Sequence, residues 1–359
     1  MLSIADELAG YLAHPYRAEA IGAGDMSWPL PDEPHVACWR EYAAWGPAFE
    51  VLRGIFPQLR FPIREGISRE SAYAAATRRG RLDAPDAFAP GLQLEAPAEL
   101  TLSFSDGAGG ALPILTASTR ADFVTLVRAF TARNEPVDVP DSMGACFVKG
   151  LINWDRVARY RAAWEAATGK AGDEDAWREE MGRLAPQKAL YQDRFVLLSR
   201  GPYSGVDAAS VGLAEAEWLE RSLVIRREHE LAHNFTWRLF GIMRSHATDE
   251  IVADFVGIVR AFGTYRADVA RCVLGLDGKA SCRPGGRLAN YRGDPPLSNA
   301  AFAEVARMTD RAIANLEALA DRERASLTDP LALARLTLAL TLLPLPELAA
   351  DDMPRRLKV

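Results

Sequence analysis

Two pairs of polar residues, each four apart, constrain this chain more than any other feature. His229 and His233 bracket Glu230 in the run His229-Glu230-Leu231-Ala232-His233, and Glu250 and Asp254 follow in Asp249-Glu250-Ile251-Val252-Ala253-Asp254. Residues four apart lie one above the other on a helix. The surrounding residues keep helical spacing: Ile251, Val252, Phe255, Ile258, Val259 and Phe262 form an apolar stripe opposite the second pair. The sequence therefore predicts two consecutive helices, joined by a short break at 241–248, each carrying metal-ligating side chains on one face.

Two imidazoles held in this way can grip one small cation, with Zn–N distances of about 2.0–2.1 Å for zinc. Glu230, one residue after His229, is turned about 100° from it. It then stands beside the metal, where a general base deprotonates a bound water. Glu250 is the expected third ligand. Asp254 is expected to accept the spare N–H of a ligand histidine and fix its tautomer. His246, in the connecting loop, is the rival third ligand. Three protein ligands and an open position describe a catalytic zinc site.

H-E-x-x-H on one helix and E-x-x-x-D on the next resembles the gluzincin branch of the zincin metallopeptidases. The likeness covers residues 210–265, and the gap from His233 to Glu250 is a little shorter than in the best-known gluzincins. Leu239 stands where a metzincin has its third histidine, and Gly263-Thr264-Tyr265 is followed by Arg266, unlike an aspzincin. The resemblance implies a downstream tyrosine or histidine that stabilises the oxyanion, with an arginine assisting. Tyr291 and Arg287, in the Gly/Pro/Arg-rich stretch 281–297, are the candidates, and Tyr265 competes. It also implies an edge strand upstream of the metal helix that binds extended substrate through its main chain. Phe195 to Ser199 is the candidate by position.

Composition narrows the partners. The chain has 359 residues, 49% of them hydrophobic and 25% charged, with net charge −6. This suits a globular protein with a sizeable core, in one large domain or two. No basic block exists to attract nucleic acid. Four cysteines, Cys38, Cys146, Cys272 and Cys282, form no C-x-x-C pair and read as free thiols. The N-terminus lacks the features of a signal peptide, and the most apolar run, 331–343, is too short for a bilayer. A cytoplasmic location is the expectation, with no membrane partner; the oligomeric state stays open.

Along the chain, helices are expected at 2–14, 36–56 and 68–81. A hairpin follows, Leu100 to Ser105 and Ala111 to Thr116, then a helix at 119–132 and a strand at Ala145 to Val148. Helices at 154–167 and 174–184 precede a short strand, Arg194 to Ser199. Beyond the metal region, 267–276, 299–324 and 330–343 read as helices. The expected fold is α+β and zincin-like: an N-terminal part (1–205) with a small, mostly antiparallel sheet, the metal helices (206–265), and a helical C-terminal part (266–359). The expected function is zinc-dependent hydrolysis of a peptide or amide bond. A non-peptidase metal enzyme acting on a small amide or ester or a biosynthetic intermediate, and a catalytically silent zincin-like binding module, remain as alternatives.

Overall fold

A computed structural model of the chain describes residues 3–21, 27–81, 90–277 and 281–357. The fold is α+β, with a four-stranded mixed sheet in an otherwise helical chain. The N-terminal helices are α1 (Ile4–Tyr11), α2 (Pro34–Trp45), α3 (Ala48–Ile55) and α4 (Ser71–Arg79). One helix was expected over 36–56; Gly46 and Pro47 divide it, since Pro47 has no N–H to continue the ladder. The hairpin β1 (Thr101–Gly107) and β2 (Gly110–Ala117) leads into α5 (Arg120–Thr131), and β3 (Ala145–Ile152) into α6 (Trp154–Thr168) and α7 (Glu174–Leu184). After β4 (Gln192–Ser199) come α8 (Glu215–Phe240), α9 (Ala247–Phe262), α10 (Ala267–Leu274) and α11 (Asn299–Arg322). The chain closes with α12 (Arg324–Thr328), α13 (Pro330–Thr341), α14 (Leu345–Leu348) and α15 (Met353–Arg356). Among the described residues, no helix is long and apolar enough to cross a membrane.

The strand order is β1-β2-β4-β3, with β2 and β4 parallel and the outer pairings antiparallel. This corrects one expectation. Phe195 to Ser199 lies in β4, an interior strand, and the edges are β1 and β3. The reason is legible in the side chains. Phe195-Val196-Leu197-Leu198 is continuously apolar and buried, which suits a strand covered on both faces. β3 instead carries Lys149 and Gly150, features that tolerate an edge.

Apolar cores cover both faces of the sheet and fill the helical part. Trp39, Phe56, Phe123, Phe130 and Phe195 join α2, α3 and α5 to one sheet face. On the other face, Leu112, Ile114, Val196 and Leu198 meet Leu231 of α8. A larger core gathers α8 to α11 and α13. Gly241, in the left-handed region at φ +69°, ends α8, and a short loop returns the chain as α9. The two helices touch closely at Gly257, where a Cβ would stand 2.7 Å from the Ile225 carbonyl oxygen. Glycine is required there, one turn before His229, to let the histidines and the carboxylates meet.

Candidate metal centre

His229 and His233 of α8 and Glu250 of α9 converge, all three buried. His229 Nε2 and His233 Nε2 are 3.1 Å apart. Glu250 Oε2 lies 3.4 Å from the first and Oε1 3.5 Å from the second. Four ligands at tetrahedral angles around zinc are separated by about 3.3 Å, given bonds of about 2.0–2.1 Å. The donor set therefore fits a small divalent cation, and this buried group can hold a metal ion.

The surrounding bonds fix the donors. Asp254 Oδ1 is 2.9 Å from His229 Nδ1, so that nitrogen donates and Nε2 keeps its lone pair for a metal. The Tyr203 hydroxyl donates to the same oxygen at 2.6 Å and lies 3.1 Å from His229 Nδ1. Arg287 donates to the Tyr203 hydroxyl oxygen at 2.8 Å and pairs with Asp254 Oδ2. Tyr291 donates to Glu250 Oε2 at 2.8 Å. Burial disfavours charge on His229, but Asp254 and Glu250 overcome it and push its pKa up to about 10. Burial would raise Glu250, yet the two histidines hold it well below the usual carboxylate range.

Glu230 is 9% exposed and stands apart from the three ligands. Its carboxylate makes no hydrogen bond with any described residue, and burial pushes its pKa up against the pull of His229 and His233. It lines a cavity of about 510 Å³ together with the three ligands, Tyr291 and the start of β3.

The other candidates fall elsewhere. His246 caps α9: its Nδ1 accepts from Thr248 N–H at 3.2 Å and its Nε2 reaches the Tyr11 carbonyl oxygen at 3.0 Å, so it is no ligand. Tyr265 is buried in the helical core against Phe255 and does not line the cavity. Arg287 and Tyr291 both reach the site, but each is engaged with a carboxylate of the site. Tyr203 was not anticipated. It sits in the turn Gly201-Pro202-Tyr203-Ser204-Gly205, 26 residues before His229, and no local pattern marks it. Arg226 holds that turn against α8, donating to the carbonyls of Ser199, Gly201 and Pro202.

Residues 11–16 brace both the loop between α8 and α9 and the turn at 287–291. Tyr11 donates to the Tyr291 carbonyl oxygen at 2.8 Å, Arg244 to that of Ala13 at 2.9 Å, and Tyr16 to Asp249.

The chain belongs to a family of unknown function, DUF7005, whose profile spans residues 2–352. No curated protein and no solved structure matches it.

Proposed function

We propose that this chain is a zinc-dependent, zincin-like hydrolase that cleaves a peptide or amide bond. One observation carries the reading: Glu230 presents an unpartnered, buried carboxylate to the cavity in which His229, His233 and Glu250 converge. A bound zinc ion would polarise a carbonyl and lower the pKa of a coordinated water toward about 7. Glu230 takes the proton of the attacking water and returns it to the leaving nitrogen. Tyr291 lines the cavity with its one O–H given to Glu250, and serves a developing oxyanion by turning that O–H away from the carboxylate.

The substrate's chain is held by β3. Gly144 C=O accepts from Ser199 N–H at 2.9 Å, so pairs 144/199 and 146/197 are the hydrogen-bonded ones. Ala145 and Phe147 then direct their N–H and C=O groups to the open edge, and both line the cavity. An extended peptide adding a strand there lies across the ligand set. The size of the cavity, within the range of small-molecule sites, supports the second reading, a hydrolase of one small amide.

Glu230→Gln keeps shape while removing basicity. The variant should fold, keep one zinc per chain by elemental analysis, and lose a factor of roughly 10²–10⁴ in peptide cleavage rate. Unchanged turnover with full zinc would sink the assignment. Cleavage of small amides but of no member of a peptide library would favour the second reading.

A further inference from the structure

A second cavity, of about 290 Å³, lies further along β3 and is lined by Lys149, Gly150, Lys188, Gln192, Arg194 and Trp237, with Asp193 and Ala189. Its charge is lopsided. Asp193, fully buried, is bonded to Arg156 at 2.6 Å, and Arg194 is paired with Glu33. Lys149 and Lys188 have no carboxylate partner among the described residues. Lys149 and Arg194 are direct cross-strand partners, and both cations approach one ring: Lys149 Nζ is 4.5 Å and the Arg194 guanidinium 5.7 Å from the Trp237 centroid. Glu33 answers the Arg194 charge, so the cation left without a counter-charge on this strand pair is Lys149, which has the Trp237 ring alone. An anion beside Lys149 would supply the missing counter-charge. The β-bulge between Lys149 and Leu151, at Gly150 with φ +75°, sets this local geometry. The chain as a whole carries −6, so any attraction for anions is local to this cavity.

We propose that this cavity is an anion subsite that takes an acidic group of the peptide substrate. The proposal rests on the hydrolase reading above. Trp237 follows His233 by four residues on α8, about 6 Å along the helix. Lys149 follows Ala145 by four residues on β3, about 13 Å along the strand. A peptide paired with the edge at Ala145 and Phe147 keeps that spacing, so a residue three or four places from the scissile bond stands beside Lys149. A carboxylate there meets two free ammonium groups over an aromatic floor.

The test uses zinc-loaded Glu230→Gln protein and a panel of amidated peptides with Glu or Gln at the third and fourth positions on either side of the target bond. A neutral peptide with a free C-terminal carboxylate is added. Calorimetry should show Glu peptides binding about tenfold tighter than their Gln counterparts. Lys149→Gln combined with Lys188→Gln should erase the difference without changing zinc content. A gain for the free-terminus peptide alone supports the subsite, with the chain end as its ligand. Equal binding of charged and neutral peptides, or a preference that survives the double substitution, overturns the proposal. The wild type, assayed on the same panel, separates the two ideas. Cleavage without acidic preference removes the subsite and leaves the hydrolase. Acidic preference in binding with no cleavage leaves the subsite and removes the hydrolase.

Discussion

Asp193 and Asp254 face the same physical problem and solve it to different ends. Each is a fully buried carboxylate with an arginine and two further donors. Asp193 takes Arg156 at 2.6 Å on one oxygen, and Trp39 and Asn153, both at 2.7 Å, on the other. Asn153 also caps α6. That network closes on itself and ties α2, α6 and β4 together. Asp254 takes Arg287 on one oxygen and Tyr203 and His229 on the other, but His229 has a second nitrogen. It points to a spot shared with His233 and Glu250 beside a cavity. A closed set of buried polar groups holds a fold; one with a donor atom left over can hold a ligand.

The largest effect expected from this contrast is on stability. Asp193→Ala leaves Arg156 buried and unpaired, at a cost of about 3–5 kcal/mol in urea unfolding, while the folded fraction keeps its zinc affinity. Asp254→Ala should instead weaken zinc by roughly 10–100-fold. If titration showed both variants losing metal equally, the distinction between the networks would collapse.

A pH prediction sharpens the N-terminal side. His35 is buried near Arg156 and Arg194, and burial first, then those cations, lower its pKa to about 3. The unfolded chain protonates His35 near pH 6.5 while the folded chain does not. Stability is therefore full above that pH and lost as pH falls from about 6.5 toward 3. Between pH 6.5 and 5 the loss should be about 2 kcal/mol. In His35→Gln this part of the slope should vanish; an unchanged slope would place the titration elsewhere.

The smallest effect is that of Tyr203→Phe. It removes one hydroxyl and leaves the Asp254–His229 and Asp254–Arg287 contacts in place. The hydroxyl donates to Asp254 and accepts from Arg287; losing the bond to Asp254, of about 1 kcal/mol, corresponds to roughly fivefold weaker zinc. A metal titration showing no change would make Tyr203 packing alone.

How much of this was written in the sequence follows from distance along the chain. His229, His233, Glu250 and Asp254 were legible because helical spacing places each pair on one face, and only a six-residue turn, 241–246, separates α8 from α9. The strands and most helices were legible from local periodicity. Sheet order was not, because β4 lies between β2 and β3 through pairings made far apart in sequence. Its unbroken apolar run was the available signal that both faces are covered. Tyr203 and the positions of Arg287 and Tyr291 depend on loops folding back over α9, which no local pattern encodes. His246 sat where a ligand could stand, yet its ring serves the first turn of α9.

The brace from the chain's beginning has a consequence in time. Tyr11 closes on the carbonyl of Tyr291, 280 residues later. At about 5–20 residues per second, a ribosome makes that partner roughly 15–55 s after Tyr11 itself. Until then the histidines exist without Arg287 and Tyr291, and the first helix holds only the loop at His246 and Ala247. The contacts that Arg287 and Tyr291 make with Asp254 and Glu250 thus form only after residue 291 has been made.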